Sequence, residues 1–385
     1  MSGYVNPFGT FQLKRIPDQD KNLQAWNSAD TYLLNHLNEQ MTAEQLTQAS
    51  ILILNDDFGA LTVSLAQYGC DTLSDSFVSH QAIKTNIQAN CPQFLEQVQF
   101  IKSTEALNRH YDLVLFKVPK TSAFLQQQMV GLAGRINENS RIIGALMAKN
   151  LQRSIINTLK SLFADAEASL AWKKARLIIL KAPLLAGLKN SNYNYLQYTL
   201  EDGSRLFGLS NVFSRKHLDI GSRFFLQNFP EKLSPAPQSI IDLGCGNGVL
   251  SLKAAQCYPQ ADIYAVDESY MAVESARMTL QNNLGDSPGF HFISTNILES
   301  FASEQADLIL CNPPFHQQHV VGDVIAWQMF VQSRRVLTSG GELWIVGNRH
   351  LAYHTKLKKL FGNQTLVATN NKFVILRAIK SGSSK

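Results

Sequence analysis

The sequence predicts an α/β protein made of two tandem, doubly wound parallel-sheet domains from an internal duplication, the first copy degenerate. Three pairs of segments in the same order carry that expectation. Ile51-Leu52-Ile53-Leu54 leads into Asn55-Asp56-Asp57-Phe58-Gly59, as Ile240-Ile241 leads into Asp242-Leu243-Gly244-Cys245-Gly246-Asn247-Gly248. Each reads as a buried strand, a turn and a helix. Asp112-Leu113-Val114-Leu115-Phe116-Lys117-Val118-Pro119 then matches Asp307-Leu308-Ile309-Leu310-Cys311-Asn312-Pro313-Pro314, a short β-rich run opened by Asp and ended by Pro. Finally, the run from Lys173 to Ala182 matches that from Asn370 to Ala378. The offset is about 195 residues at the later two pairs and slightly less at the first.

Strands alternating with helical stretches imply a parallel sheet in each copy. The first domain is expected over residues 1–188 and the second over 189–385, with a lead-in at 189–235. Asn190 to Tyr195, polar and aromatic, reads as the linker. A hairpin and the stretch from Asn211 to Asp219 follow. This lead-in has no counterpart expected in the first copy. The tail from Lys380 to Lys385 reads as frayed.

Composition bounds the function classes. The 385 residues are 45% apolar and 17% charged, which excludes disorder, collagen and coiled coil. The net charge of +5 leans weakly toward a polyanionic partner. Five cysteines, an odd number with no C-x-x-C spacing, argue against a disulfide framework and a zinc ribbon. No apolar run resembles a signal or a membrane span. A cytoplasmic protein is expected, with no metal, no membrane and no obligate protein partner.

The second copy carries a nucleotide-type cofactor signature. Asp242 to Gly248 joins a β-branched strand to a helix, and glycine lets backbone approach a ligand without a Cβ in the way. A second strand, Asp262-Ile263-Tyr264-Ala265-Val266, ends in Asp267, placed to accept both hydroxyl hydrogens of a ribose or simply to cap a helix. The spacing is G-x-G-x-G, lacking the third glycine with which a dinucleotide fingerprint packs its helix. Here the sequence resembles the Rossmann-like S-adenosylmethionine-dependent methyltransferases. By that resemblance Asp242, Gly244, Gly246 and Gly248 hold the methionine end, Asp267 the ribose and Asn296 the adenine.

Asn312-Pro313-Pro314-Phe315 closes the fourth strand. Its prolines stiffen the backbone, so the Asn312 side-chain oxygen and the Pro313 carbonyl can accept from one exocyclic amine. Phe315 can stack on the ring bearing that amine. A duplexed base must be flipped out or single-stranded to reach such a pocket. His316 or His319 could relay the proton, or be bystanders. The tetrapeptide resembles the N/D-P-P-F/Y/W motif of amino methyltransferases, which modify nitrogens on planar systems.

The whole chain resembles the bacterial ribosomal RNA guanine-N2 methyltransferases with duplicated domains. Asn312 to His316, Asn211-Val212-Phe213-Ser214, Leu218-Asp219-Ile220-Gly221 and the degenerate first copy carry that resemblance. Phe11 to Arg15 and Leu23 to Leu34 resemble its large-subunit branch. The resemblance implies S-adenosylmethionine as cofactor, 23S rRNA as partner and one particular guanine as target. It also implies that Phe213-Ser214 and Asp219 to Gly221 border the methionine end, although helix capping would explain them equally. The alternatives are the 16S rRNA branch, a DNA adenine-N6 or cytosine-N4 or a protein glutamine methyltransferase, and a nonenzymatic RNA-binding descendant. In the first copy, Asp75 is the candidate surviving ribose carboxylate. Lys117 and Lys120, helped by Lys84, Arg109 or Lys149, are expected to dock RNA phosphates, unless that domain is only a scaffold.

Overall fold

A computed structural model describes residues 3–17, 23–184, 195–314 and 319–382. The chain divides into two compact units, Met1–Asn194 and Tyr195–Lys385. Unit 1 contains a hairpin, β1 (Tyr4–Asn6) and β2 (Gly9–Phe11), and then seven strands. These are β3 (Ile51–Leu54), β4 (Cys70–Ser74), β5 (Val98–Lys102), β6 (Leu113–Lys117), β7 (Arg141–Met147), β8 (Phe163–Ala168) and β9 (Ala175–Pro183). Unit 2 has the hairpin β10 (Leu196–Thr199) and β11 (Arg205–Gly208). Its sheet consists of β12 (Ser239–Leu243), β13 (Asp262–Asp267), β14 (Phe290–Ser294), β15 (Ala306–Cys311), β16 (Leu337–Asn348), β17 (Thr365–Thr369) and β18 (Phe373–Ile379).

The two sheets have the same topology. Their orders are β5-β4-β3-β6-β7-β9-β8 and β14-β13-β12-β15-β16-β18-β17. In each, five parallel strands are followed by a last strand that returns antiparallel, inserted beside the fifth. All four residues of β3 are buried, as a parallel strand covered on both faces requires. Ser76 and Ser269 cap the equivalent helices Phe77–Asn90 and Tyr270–Leu284, each accepting from the backbone N–H three residues on.

The lead-in does have a counterpart, contrary to the expectation from sequence. Each unit has a hairpin tied to the helix after its second strand. Asn90 accepts from Gln12 N at 2.6 Å and donates to Gln12 O at 3.0 Å. Asn283 accepts from Arg205 N at 2.9 Å and donates to Arg205 O at 2.7 Å. One amide satisfies both backbone groups of one residue on an open edge. The helix Ser28–Gln40 follows in unit 1 and Ile220–Gln227 in unit 2. The counterpart lies at the N-terminus of the chain, where its different loop lengths hide it.

Candidate active site

The glycine turn of unit 2 leaves β12 with Gly244, Gly246 and Gly248 all at positive φ, 81°, 54° and 77°. Their reasons differ. A Cβ on Gly248 would lie 2.7 Å from Ala276 Cα, on the helix Tyr270–Leu284. Gly248 therefore supplies the helix packing that the sequence spacing had suggested was missing. Among the described residues, a Cβ on Gly246 would meet nothing within 4 Å, and one on Gly244 only Met329 at 3.7 Å and the Asn312 carbonyl at 3.9 Å. Those two glycines line open space, as a cradle for a ligand would.

Asp242 is not in that cradle. It is 1% exposed, and its Oδ2 accepts from Ser251 N at 2.9 Å and Ser251 Oγ at 2.6 Å. It ties the strand to the helix that follows. Burial pushes its carboxyl up to about 7, against the lowering effect of the Ser251 bonds. Asp242 thus shapes the loop from behind. Asp267, half-buried, accepts from Gly246 N at 3.1 Å through Oδ2 and from Ser269 N at 3.0 Å through Oδ1. Thr295 N donates to the Asp267 carbonyl at 3.0 Å, which brings Asn296 to the same rim. Glu299 takes the Asn296 Nδ2 at 2.7 Å, so its Oδ1 is the end left to face a ligand amine.

At the end of β15, Asn312 Nδ2 donates to Ser222 Oγ at 2.9 Å and lies 3.4 Å from Asp219 Oδ2. Its Oδ1 is buried with no hydrogen-bond partner among the described residues. A buried acceptor left unpaired is costly, and such atoms cluster where a ligand completes them. Asp219 is also the N-cap of the helix Ile220–Gln227, accepting from Ser222 N at 3.0 Å. That satisfies the capping reading of Asp219 and adds a second role, toward Asn312. Ser222 gave no signal in the sequence beyond the D-x-x-S spacing of a helix start. Pro313 is buried, and Phe213 is 63% exposed. Phe315 and His316 lie outside the described residues, and nothing is described of the His319 side chain.

Unit 1 holds different chemistry at the same positions. Pairing of Ile51 with Leu113, and of Ile240 with Leu308, places Asn55 at the position of Gly244, Asp57 at that of Gly246 and Gly59 at that of Gly248. Asn55 keeps the positive φ, 61°, and its amide is spent on Gln128 and the Lys117 carbonyl. Ser74, not Asp75, is in register with Asp267. Asp75 falls one residue later and accepts from Ser103 Oγ at 2.6 Å, so it is not a surviving ribose carboxylate. Lys117 occupies the place of Asn312 and is buried in an ion pair with Asp30. Arg109 makes a bidentate pair with Asp71 at 2.9 and 2.7 Å. Lys117 is therefore not free for RNA phosphates as the sequence had suggested, while Arg109 is half exposed beside its pair and Lys120 is exposed. A cleft of about 490 Å³ remains in unit 1, lined in part by Arg15, Trp26, Asp57, Phe58 and Trp172, with Lys117 and Asp30 in its wall.

Residues 1–184 match the RLMG N-terminal domain, and residues 203–377 match the methyltransferase small domain. The ribosomal RNA large subunit methyltransferase G of Pseudomonas paraeruginosa is 45% identical over 383 residues, 98% of this chain and 99% of its own. The protein of the same name from Vibrio vulnificus is 43% identical over 374 residues, 96% of each chain. Among solved structures, the T. thermophilus 16S rRNA N2 G1207 methyltransferase, in complex with AdoMet and guanosine, superposes with a TM-score of 0.75. It is 20% identical, covers 98% of this chain and 97% of its own, and shows the shared fold. On that identity over nearly the full length, the chain belongs to the ribosomal RNA large subunit methyltransferase G family.

Proposed function

We propose that the chain transfers a methyl group from S-adenosylmethionine to the exocyclic N2 amine of a guanine in 23S rRNA, in the bacterial cytoplasm. The observation that carries this is the buried, unpartnered Oδ1 of Asn312 beside an open glycine cradle. The cofactor supplies a methyl group on a positively charged sulfur. Gly244 and Gly246 leave room for its methionine end, Asp267 accepts from its ribose hydroxyls, and Asn296 faces its adenine. Asp242 acts indirectly, by fixing the loop.

Asn312 Oδ1 and the Pro313 carbonyl accept the two N2–H bonds of the guanine. This turns the nitrogen lone pair toward the methyl carbon. The N–C bond forms as the S–C bond breaks, and the amine gives up one proton. His316 is the candidate relay, and Phe315 the stacking ring. Orientation supplies most of the acceleration, so no strong base is required. Ser222 and Asp219 are positioning residues: by taking the Asn312 N–H groups they hold the amide with its oxygen on the opposite side, toward the substrate. The RLMG N-terminal match and the names of the relatives favour large-subunit RNA over the 16S substrate named for the structural neighbour.

The test is incubation with methyl-labelled S-adenosylmethionine and, separately, 23S rRNA, 16S rRNA and DNA, followed by digestion to nucleosides. Label is expected in N2-methylguanosine from 23S rRNA. Label in another nucleoside, or in 16S rRNA alone, would overturn the assignment.

A further inference from the structure

We infer that the rim of unit 2 formed by Arg349 and Lys372, with His350 and His354 beside them, grips the RNA phosphates flanking the target guanine. The inference rests on the function proposed above. Its starting point is a charge asymmetry within one unit. Residues 195–342 hold nine Lys and Arg against fifteen Asp and Glu, whereas residues 343–385 hold eight Lys and Arg and no acidic residue. Glu342 is the last carboxylate side chain of the sequence.

The fold decides where that positive charge goes. Cys311 pairs with Ile345 in parallel register, so β16 runs out at the edge of the sheet where Asn312 leaves β15. Arg349 follows β16 directly. β18 is antiparallel to β16, and Asn348 pairs with Phe373, which puts Lys372 at the same edge. Arg349 N donates to the Lys372 carbonyl at 3.0 Å. Both side chains are exposed, as are His350 and His354. In strand order the glycine turn and Asp267 belong to β12 and β13, on one side of β15, while the basic rim belongs to β16 and β18, on the other. Lys372 stands two strands from Asn312, roughly 10 Å across the sheet at about 4.8 Å per strand, and three residues, roughly 10 Å, further out along the strand direction, a span of a few nucleotides.

Other cations of the segment are already spent. Arg377 pairs with Glu342, Lys380 with Glu304 and Lys356 with Asp323. Among the described residues no ion pair includes Arg349, Lys372, Lys358 or Lys359. Lys358 and Lys359 lie in the last turn of the helix Tyr353–Phe361, which carries the chain away from this edge. Two uncompensated cations therefore remain beside the substrate position. Phosphate contacts there would fix the strand's register without reading its sequence.

The full chain would be titrated with an rRNA fragment that the wild type methylates, at several salt concentrations, with cofactor affinity measured by calorimetry. Arg349→Glu with Lys372→Glu is expected to raise the RNA Kd at least about tenfold. It should also flatten log Kobs against log salt by about 1.5 to 2, with cofactor affinity unchanged. Lys358→Glu with Lys359→Glu makes the same change of net charge and should leave Kd within about twofold. Unchanged Kd and slope in the rim variant, or equal weakening in the second variant, overturns the inference while leaving the function standing. A wild type that neither binds nor methylates any rRNA would instead sink the function.

Discussion

Units 1 and 2 make the same clasp and spend it differently. In each, the residue at the end of the fourth sheet strand, Lys117 or Asn312, reaches the third residue of a helix, Asp30 or Ser222. The helix cap is Asn27 in one and Asp219 in the other. In unit 1 the clasp joins two full charges, and both are consumed. In unit 2 an uncharged amide makes it, with Nδ2 donating to Ser222 and more distantly to Asp219, so only the donor side of the amide is used. The acceptor side is left over, buried and without a hydrogen-bond partner among the described residues. If Asn312 is the amine acceptor proposed above, activity in this duplicated scaffold depends on whether the clasp leaves an atom unpaired.

The largest expected effects test that difference. Lys117→Ala strands the Asp30 carboxylate, 3% exposed, without its partner. Breaking a buried pair from one side costs about 3–5 kcal/mol, so chemical denaturation should show a severely destabilised unit 1. Asn312→Ala should hardly move the denaturation midpoint. It should slow single-turnover methyl transfer more than about a hundredfold, roughly 3 kcal/mol, with cofactor affinity kept. A stable Lys117→Ala, or an active Asn312→Ala, would dissolve the distinction between a spent clasp and an open one.

A second comparison concerns the carboxylate under each turn. Asp242 accepts from Ser251, and Asp56 accepts from Thr62 N and Oγ1, each at 2.8 Å. Asp56 comes from the loop, at the place of Cys245, while the place of Asp242 is held by Ile53. The same helix start is served from two different chain positions. Burial pushes the carboxyls from the usual 3.8 up to about 7 for Asp242 and about 6 for Asp56. A raised folded-state value means the native protein binds more protons than the unfolded chain between the two values. Stability from these groups is thus present below about pH 4 and lost as pH rises toward 7 and 6 respectively. The loss is on the order of 4 kcal/mol for Asp242 and 3 for Asp56. Asp242→Asn keeps an acceptor for Ser251 and should be more stable than wild type at pH 8, with the gap closing toward pH 4. Equal melting differences at both pH values would show that burial does not raise the Asp242 carboxyl.

The repeat and the sheet class were legible because each is written locally. Unbroken apolar runs such as Ile51 to Leu54 mark buried parallel strands, and the G-x-G-x-G turn and Asn312-Pro313-Pro314 are contiguous. What stayed hidden depends on register or on distant partners. Ser74 and Asp75 differ by one residue, and only pairing with β3 shows which one matches Asp267. Lys117 looks like a surface cation until Asp30, 87 residues earlier, is folded against it. Ser222 looks like helix capping until Asn312, 90 residues later, meets it.

The register difference has its own consequence. Asp267→Ala should weaken cofactor binding by about 1.5–3 kcal/mol, through loss of charge-assisted bonds. Asp75→Ala, which removes the acceptor of the Ser103 hydroxyl, should leave the cofactor affinity of the full chain unchanged. Calorimetric titration of both variants decides the matter. An effect of Asp75 on affinity would give unit 1 a cofactor role that its register denies.

The smallest expected effect probes the clasp itself. Ser222→Ala removes the close partner of Asn312 Nδ2 and leaves only Asp219, at 3.4 Å. The amide then has less to hold its oxygen outward. In the flipped orientation, Nδ2 faces an amine that also donates, and the lone pair is no longer aimed. The population of the productive orientation falls, which lowers kcat and leaves cofactor affinity as it was. A loss of about tenfold, near 1.4 kcal/mol, is expected, with the melting temperature close to that of wild type. Ser222→Thr restores a hydroxyl at that position and should recover most of the rate. The same pair of changes separates orientation from packing: a structural defect would lower the melting temperature and follow side-chain volume, whereas an orientation defect follows the hydroxyl. In unit 1, Asp30→Asn makes the clasp asymmetric in charge without emptying it and should affect stability alone, because no acceptor is held there for a substrate.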